Sequence, residues 1–260
     1  TDSAPFDAGS SGTRTTHGAG GAARSAATQM REQILALAAD MLEANPQDLD
    51  IEEGHVLVKG TPERRMSLAK VAQQVLTASG GNLVVAASFM GQPLPTDRKV
   101  IEGVATDGNV EYLHPVQVAE VEVDPETGEV TVISVTSIHD IGKAINPAGV
   151  TGQIEGGVVQ GMGYALMEQL ACRDGVVLCG WGEPYPQPAA LDVVARGLAP
   201  GGYRQGLGPY GAKGIGEAPI IPTAPAIANA IWDAVGVRIK SLPIAPEKIF
   251  RALQERSSTV

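Results

Sequence analysis

The sequence predicts an α+β protein of two α/β lobes, each joining a small mixed sheet to packed helices. Three observations carry this reading. Apolar residues recur at helical spacing between Gly21 and Ala44. Two β-branched runs flank the turn Asp124-Pro125-Glu126-Thr127-Gly128, the mark of a hairpin. A stretch rich in proline and charge, Gly91 to Glu102, separates these patterns and divides the chain into lobes of residues 1–100 and 101–260. At 260 residues the chain is long enough to bury a substantial core.

The first lobe opens on a Gly/Ser/Thr-rich segment that runs into the Gly21–Ala44 helix. Met30, Ile34, Ala38 and Met41 or Leu42 share one face of it, and Asn45-Pro46 stops it. Leu49–Glu52 and His55–Lys59 alternate around Glu53-Gly54 and form a hairpin. Ser67 is the N-cap of a helix to Ala78, closed by Gly80-Gly81, and Leu83–Ser88 reads as a short strand. In the second lobe, Val116, Val118, Val121 and Val123 pair with Val130, Val132, Ile133 and Val135 in a core hairpin. A helix spans Val150–Leu170. Another spans Thr223–Val235, with Pro225 in its first turn and Gly236 after its end. Pro243 and Pro246 precede a last amphipathic helix through Ile249 and Leu253.

Composition narrows function. A net charge of −10 without any basic run argues against nucleic acid as a partner. No apolar stretch reaches the ~20 residues of a membrane-spanning helix. The chain starts at Thr1-Asp2 without a leader pattern, which fits a fragment, a processed chain or one subunit of a larger enzyme. Cys172 and Cys179 lack the paired spacing of a zinc or iron–sulfur site. A disulfide between them stays open, but two thiols of a cytoplasmic protein are the expectation.

Three segments carry candidate chemistry. In Gly208–Pro219, four glycines and two prolines surround one carboxylate, Glu217. Glycine permits close backbone approach, and a carboxylate held among apolar neighbours loses hydration and is suited to take a proton near neutral pH. The alternative is a surface turn with a solvated glutamate. Gly9–Gly21 brings hydroxyls, Arg14 and free N–H groups to a helix N-terminus, an anion site; a disordered tail has the same composition. Gly152–Gly163 holds five glycines on a helix, with Gln153 and Gln160 on one side. They make a smooth face for a flat cofactor, or a seat for another helix. Glu155 and Glu168 read as structural or solvated.

Other patterns fall away. Gly206–Gly211 fits the letters of a dinucleotide fingerprint, but Pro209 interrupts it and no strand precedes it. There is no G-x-S-x-G elbow. His17, His55, His114 and His139 show no ligand spacing and read as loop or strand-end residues.

Together these segments resemble, in family order, the C-terminal part of the molybdopterin-binding subunit of the xanthine dehydrogenase/aldehyde oxidase family, the molybdenum hydroxylases. The resemblance rests on Ser10–Ala22, Asp140-Ile141-Gly142-Lys143-Ala144-Ile145-Asn146-Pro147, Gly152–Gly163 and Gly211–Pro219, and covers nearly the whole chain. It implies that Glu217 is the catalytic base, taking the proton from a molybdenum-bound hydroxyl that attacks a heterocycle or aldehyde carbon. Hydride then passes to a molybdenum-sulfido centre. Gly12, Thr13, Arg14, Thr15 and Thr16 would bind the pyrophosphate or nucleotide end of the pterin, Gln153 would hydrogen-bond the pterin, and Gly214 and Gly216 would lie against it. No protein side chain would ligate the metal. The implied cofactor is molybdenum-molybdopterin cytosine dinucleotide.

The implied partners are the remaining half of the molybdopterin-binding region, an iron–sulfur subunit and, in some members, a flavin subunit carrying FAD. The earlier half supplies much of the substrate pocket, so this chain alone is expected not to turn over substrate. Cys172–Tyr203, with Trp181, Tyr185 and Gln187, is expected to line the substrate entrance. Two alternatives are a non-catalytic binding or assembly module of the same fold, and a binder of an ordinary nucleotide.

Overall fold

The computed structural model describes residues 7, 9–79, 81–89, 113–178, 185–189, 195–201 and 206–258. The chain divides into two compact units, His17–Pro95 and the pairing of Thr1–Thr16 with Thr96–Val260. The glycine-rich start, expected in the first lobe, groups with the second unit, because Thr13 is hydrogen-bonded to Glu217.

Helix α1 (Thr15–Leu42) starts earlier than the expected Gly21. Gly21 is buried inside it, and an added Cβ would lie 2.5 Å from the Phe89 ring, so glycine is required there. Strands β1 (Leu49–Glu52), β2 (His55–Val58) and β3 (Thr61–Ser67) form an antiparallel sheet in that order. The first two are the expected hairpin. The third is not legible, because Glu63, Arg64 and Arg65 are all exposed and only Met66 is buried. Charge of this kind suits an edge strand, which it protects from pairing with other chains.

Helix α2 (Leu68–Ser79) follows at once, and the Ser67 hydroxyl accepts from Lys70 N as the expected N-cap. Gly80 lies outside the described residues. Leu83–Ser88 forms no strand, contrary to expectation: the sheet pairs only its own three strands, and Val84 is exposed. The unit closes over Leu35, Ala38, Ala39, Leu49, Val56, Met66 and Val71.

In the larger unit, β4 (Pro115–Val123) and β5 (Val130–Asp140) form the expected hairpin. Asp124 holds its turn, accepting from Glu126 N and the Thr127 hydroxyl, while Gly128 takes φ +79°. The valines do not all face the core. Val116 and Val118 are exposed, while Val121 and Val123 pack inward, since residues of opposite parity point to opposite faces of a strand. On β5 the register skips Ile133, so Val132 and Val135 both reach the core while Ile133 turns outward.

Two very short strands, β6 (Cys172–Arg173) and β7 (Val176–Val177), pair with each other, and Cys172 is a free, exposed thiol. Strand β8 (Ala195–Gly201) adds parallel to β5 and makes this sheet mixed, as predicted, whereas the β1–β2–β3 sheet is antiparallel throughout and not the mixed sheet predicted for that lobe.

Helix α3 (Pro147–Leu166) starts and ends earlier than expected. Asn146 caps it by accepting from Gly149 N, with Pro147 in the first turn. Helix α4 (Thr223–Val235) has the predicted bounds and is closed by Gly236 at φ +71°. The last helix, α5, runs Pro246–Ser257. Ile154, Val158 and Met162 of α3, Ile227 and Ile231 of α4, and Ile249 of α5 meet Val132 and Val135 in one core. His17 lies in a helix and not in the loop or strand end expected, whereas His139 stands one residue from the end of β5, where it is buried.

Candidate functional site

The site is built where the end of β5, the start of α3 and the glycine loop after Gly206 converge. Backbone bonds lock the loop to the strand end: Lys213 N donates to Ile141 O at 2.8 Å and Lys143 N to Gly211 O at 2.9 Å. Gly142, at φ +58°, must be glycine, because a Cβ would strike the Gly211 carbonyl. The buried Lys213 ammonium lies 2.9 Å from Asp140 Oδ2. Burial pushes the Asp140 carboxyl up, but Lys213, Gly142 N–H and His114 outweigh it and hold the group below its ordinary value.

Thr13 approaches this loop from the start of the chain. Its hydroxyl donates to Glu217 Oε2 at 3.2 Å and accepts from Glu217 N at 3.1 Å. One hydroxyl can do both, since it carries one donor and two lone pairs. Thr13 takes φ +65°, and its carbonyl occupies the space that a Cβ on Gly214 would need. Gly216 lies close by, 3.9 Å from Thr13 measured from an added Cβ. Two segments 204 residues apart are therefore fitted to each other. One expectation is corrected: Glu217 is exposed, with only Ala218 and Pro219 beyond it buried, so the chain by itself does not desolvate the carboxylate.

Behind the loop lies α3. Its glycines split by role. Gly157 and Gly161 admit Pro219 and Thr223, whose side chains a Cβ would meet, so these two serve close packing. Gly152 and Gly156 face open space, on the side that carries Gln153.

A cleft of about 390 Å³ opens beside these elements, lined by Thr16, Lys143, Asn146, Gln153 and Lys213 with walls that include Ile141, Ile145 and Ile215. Of the predicted site residues, the structure gathers Thr13, Gly214, Gly216 and Glu217 into one cluster and sets Thr16 and Gln153 in the cleft. Gly12, at φ +58°, touches nothing at its Cα face. Arg14 N closes a turn onto Ser11 O, and the Thr15 hydroxyl donates to Ser10 Oγ; among the described residues neither lines the cleft. Gln160 is exposed and also absent from it. Tyr185 OH donates to Glu168 Oε2, while Trp181 lies outside the described residues.

Sequence reasoning gave no role to Lys143, Asn146, Lys213 or Gln117. The Asn146-Pro147 pair was a legible cap signal. Gln117 was not legible as an inward residue, because the valines on either side of it, Val116 and Val118, were expected to face the core and instead face outward.

The chemistry of the cleft fits a flat organic group with an anionic tail. Amide, hydroxyl and ammonium donors stand over aliphatic walls, with a close-approach backbone beside them. Among the described residues no three His, Cys, Asp or Glu side chains are grouped to hold a metal ion. No described helix is long and apolar enough to cross a membrane.

Comparison with known proteins agrees with this chemistry. The family profile described as "Molybdopterin cofactor-binding domain" matches residues 1–194. The chain is 35% identical over 260 residues to the 6-hydroxypseudooxynicotine dehydrogenase complex subunit gamma of Paenarthrobacter nicotinovorans, covering 98% of this chain and 31% of that protein. It is 34% identical over 255 residues to the nicotine 6-hydroxylase large subunit of the same organism, covering 95% of this chain and 30% of that one. The structure of quinoline 2-oxidoreductase from Pseudomonas putida 86 superposes with a TM-score of 0.78 at 29% identity, covering 98% of this chain and 32% of that one. The chain spans about a third of the length of these relatives. It belongs to the molybdopterin cofactor-binding domain family, in the molybdenum-binding subunits of the xanthine dehydrogenase type.

Proposed function

We propose that this chain is part of a molybdenum hydroxylase that oxidises a ring carbon of an N-heterocycle, or an aldehyde carbon, with Glu217 as the general base. The observation that carries the reading is the paired bonding of Thr13 and Glu217, which joins the expected cofactor loop to the only carboxylate of the glycine loop. The names of the relatives, a nicotine hydroxylase, a quinoline oxidoreductase and xanthine dehydrogenases, favour the heterocycle.

When bound, the molybdenum-molybdopterin, in its cytosine dinucleotide form, supplies the two-electron redox chemistry and the activated oxygen. Thr16, Gln153 and Lys143 would hold it from the cleft, with Gly12 to Thr15 toward its nucleotide end. Glu217 Oε2 accepts from Thr13, so Oε1 is the atom that takes the proton, and the Thr13 bond fixes the rotamer in which it does so. Gly214 and Gly216 keep that face of the loop free of side chains. The remaining half of the molybdopterin-binding region would complete the pocket and remove Glu217 from water. Iron–sulfur and flavin partners would carry electrons away, in the cytoplasm.

The test is Glu217→Gln in the enzyme purified with its native partners. Molybdenum content stays the same and hydroxylation falls about 10²–10⁴-fold. Undiminished turnover would remove Glu217 from the mechanism.

A further inference from the structure

Glu217 is held at its carboxylate by Thr13, but something must also hold the main chain beneath it. Two residues further on, the Pro219 carbonyl is held by the side chain of Gln117, which Thr223 orients by giving its one hydroxyl proton to Gln117 Oε1. Gln117 Nε2, on β4, donates to it at 2.8 Å, and the Thr223 hydroxyl, at the start of α4, lies 3.0 Å away. We propose that Gln117 and Thr223 are positioning residues that set the backbone of the Glu217 loop. This rests on the reading of Glu217 as the base.

Three features support a dedicated device. The first is that Gln117 is fully used. Its Nε2 also donates to Ser137 Oγ at 2.9 Å, and its Oε1 accepts from Thr223 Oγ1 at 2.7 Å. An amide side chain in the inward row of a strand is costly to bury, and here both of its ends are satisfied.

The second is that the chain of bonds has a fixed direction. Ser137 is fully buried, so its own proton needs an acceptor, and His139 Nε2 lies 2.7 Å away. Ser137 donates to it. That assigns His139 as the neutral tautomer with its proton on Nδ1, in accord with burial holding the imidazole below its ordinary value. With Ser137 already donating, its oxygen is left to accept from Gln117, and the Gln117 amide cannot flip without placing its carbonyl against Pro219 O.

The third is that packing closes the other side. Gly157 and Gly161 of α3 leave room for Pro219 and Thr223 and no more. The loop is therefore clamped between a glycine notch and an amide. Only Ala218, itself buried, separates that clamp from Glu217. Since a displacement of about 1 Å at a reacting group can cost 10²-fold in rate, the clamp belongs to the base and not merely to the core.

The test uses the molybdenum-loaded enzyme with its partners and the variants Gln117→Leu, Thr223→Val and Thr223→Ser. Gln117→Leu and Thr223→Val lower kcat about tenfold or more, with KM and molybdenum content unchanged. Both also speed hydrogen–deuterium exchange at the amides of Ala218, Ile220 and Ile221, without affecting the rest of β4 and β5. Thr223→Ser keeps the hydroxyl and restores both readouts. Should Gln117→Leu fail to fold, the Val and Ser pair at Thr223 decides alone.

Unchanged kcat and unchanged local exchange in the folded variants overturn the proposal. So does a loss of kcat matched by loss of molybdenum, or exchange raised throughout the sheet, since a purely structural role predicts either. Glu217→Gln separates the two claims. If it is inactive while Gln117→Leu is fully active, only the positioning role fails. If it is active, the base reading fails.

Discussion

A cavity of about 330 Å³ in the smaller unit and a cleft of about 390 Å³ in the larger are close in volume and differ in lining. The smaller is an apolar groove between α1 and α2, walled by Met30, Ile34, Leu68, Val71 and Leu76. No charged side chain lines it, and Asn82 is the one polar side chain among its aliphatic walls, so little orients a ligand. The cleft of the larger unit sets Thr16, Lys143, Asn146, Gln153 and Lys213 over isoleucines, beside a loop bent by glycine toward Thr13. Volume does not make a site. Converging polar groups on a fixed backbone do.

If that contrast is right, function and stability separate along it. The largest effect falls on the polar side: Glu217→Gln loses about 10²–10⁴-fold in turnover while the fold and the molybdenum content stay intact. Next comes Leu49→Ala in the smaller unit. Leu49 is 1% exposed, so deleting its side chain costs about 2–5 kcal/mol of stability. Turnover per bound molybdenum should be unaffected, as measured by denaturant melts beside metal-normalised rates. A fall in that normalised rate would break the contrast.

Much of this was legible in the sequence, and the exceptions have physical causes. The β4–β5 hairpin and α4 announce themselves through β-branched runs, a Pro/Gly turn and a terminal Gly236, all local signals. Strand β3 was hidden because its Glu63-Arg64-Arg65 run carries edge charge in place of alternation. Leu83–Ser88 looked like a strand because propensity is local, whereas a strand needs a partner edge. At the site, glycine spacing marked both Gly214–Glu217 and Gly12–Thr16, but only folding shows that Gly214 is glycine because Thr13 O sits on it. The exposure of Glu217 was not readable, since apolar neighbours in sequence need not cover a side chain in space. The roles of Gly157 and Gly161 depend likewise on contacts with Pro219 and Thr223, about sixty residues away.

Gly161→Ala sharpens the comparison from the other side. The added methyl meets the Thr223 side chain, an overpacking cost of about 1–3 kcal/mol. Because Thr223 belongs to the clamp, kcat should fall as well. The same substitution at Gly156, which faces open space, should leave both stability and kcat intact or better. Equal losses at the two positions would mean that the glycines act through helix propensity and not through contact.

A smaller effect concerns pH. Burial holds the His139 imidazole below its ordinary 6.5. Below that pH the unfolded chain takes up a proton that the folded protein refuses, so the stability contributed by this group is complete above 6.5. It is lost as pH falls from there toward the folded value. The slope is at most about 1.4 kcal/mol per pH unit. Denaturant midpoints at pH 7.5 and 5.5 should show this loss in the native protein and a shallower one in His139→Gln. A steeper loss in the variant would mean that His139 is protonated in the fold, which would reverse the direction of the Ser137 bond.

The smallest effect expected is at Leu76, on the rim of the apolar groove. Its side chain is 53% exposed, so Leu76→Ser removes little buried surface and should shift stability by no more than about 0.5 kcal/mol. Molybdenum content and kcat should not change at all. The substitution has a use because it places a hydroxyl in a groove that otherwise has almost nothing to orient a ligand. If the groove only fills a gap between α1 and α2, the hydroxyl points to water and nothing follows. If it instead seats another part of the assembled enzyme, a polar group on its rim weakens that contact, and metal content falls in the purified complex. A measured fall would mean that the aliphatic cavity is also a site, one read by shape alone, and the distinction between the two units would have to be redrawn.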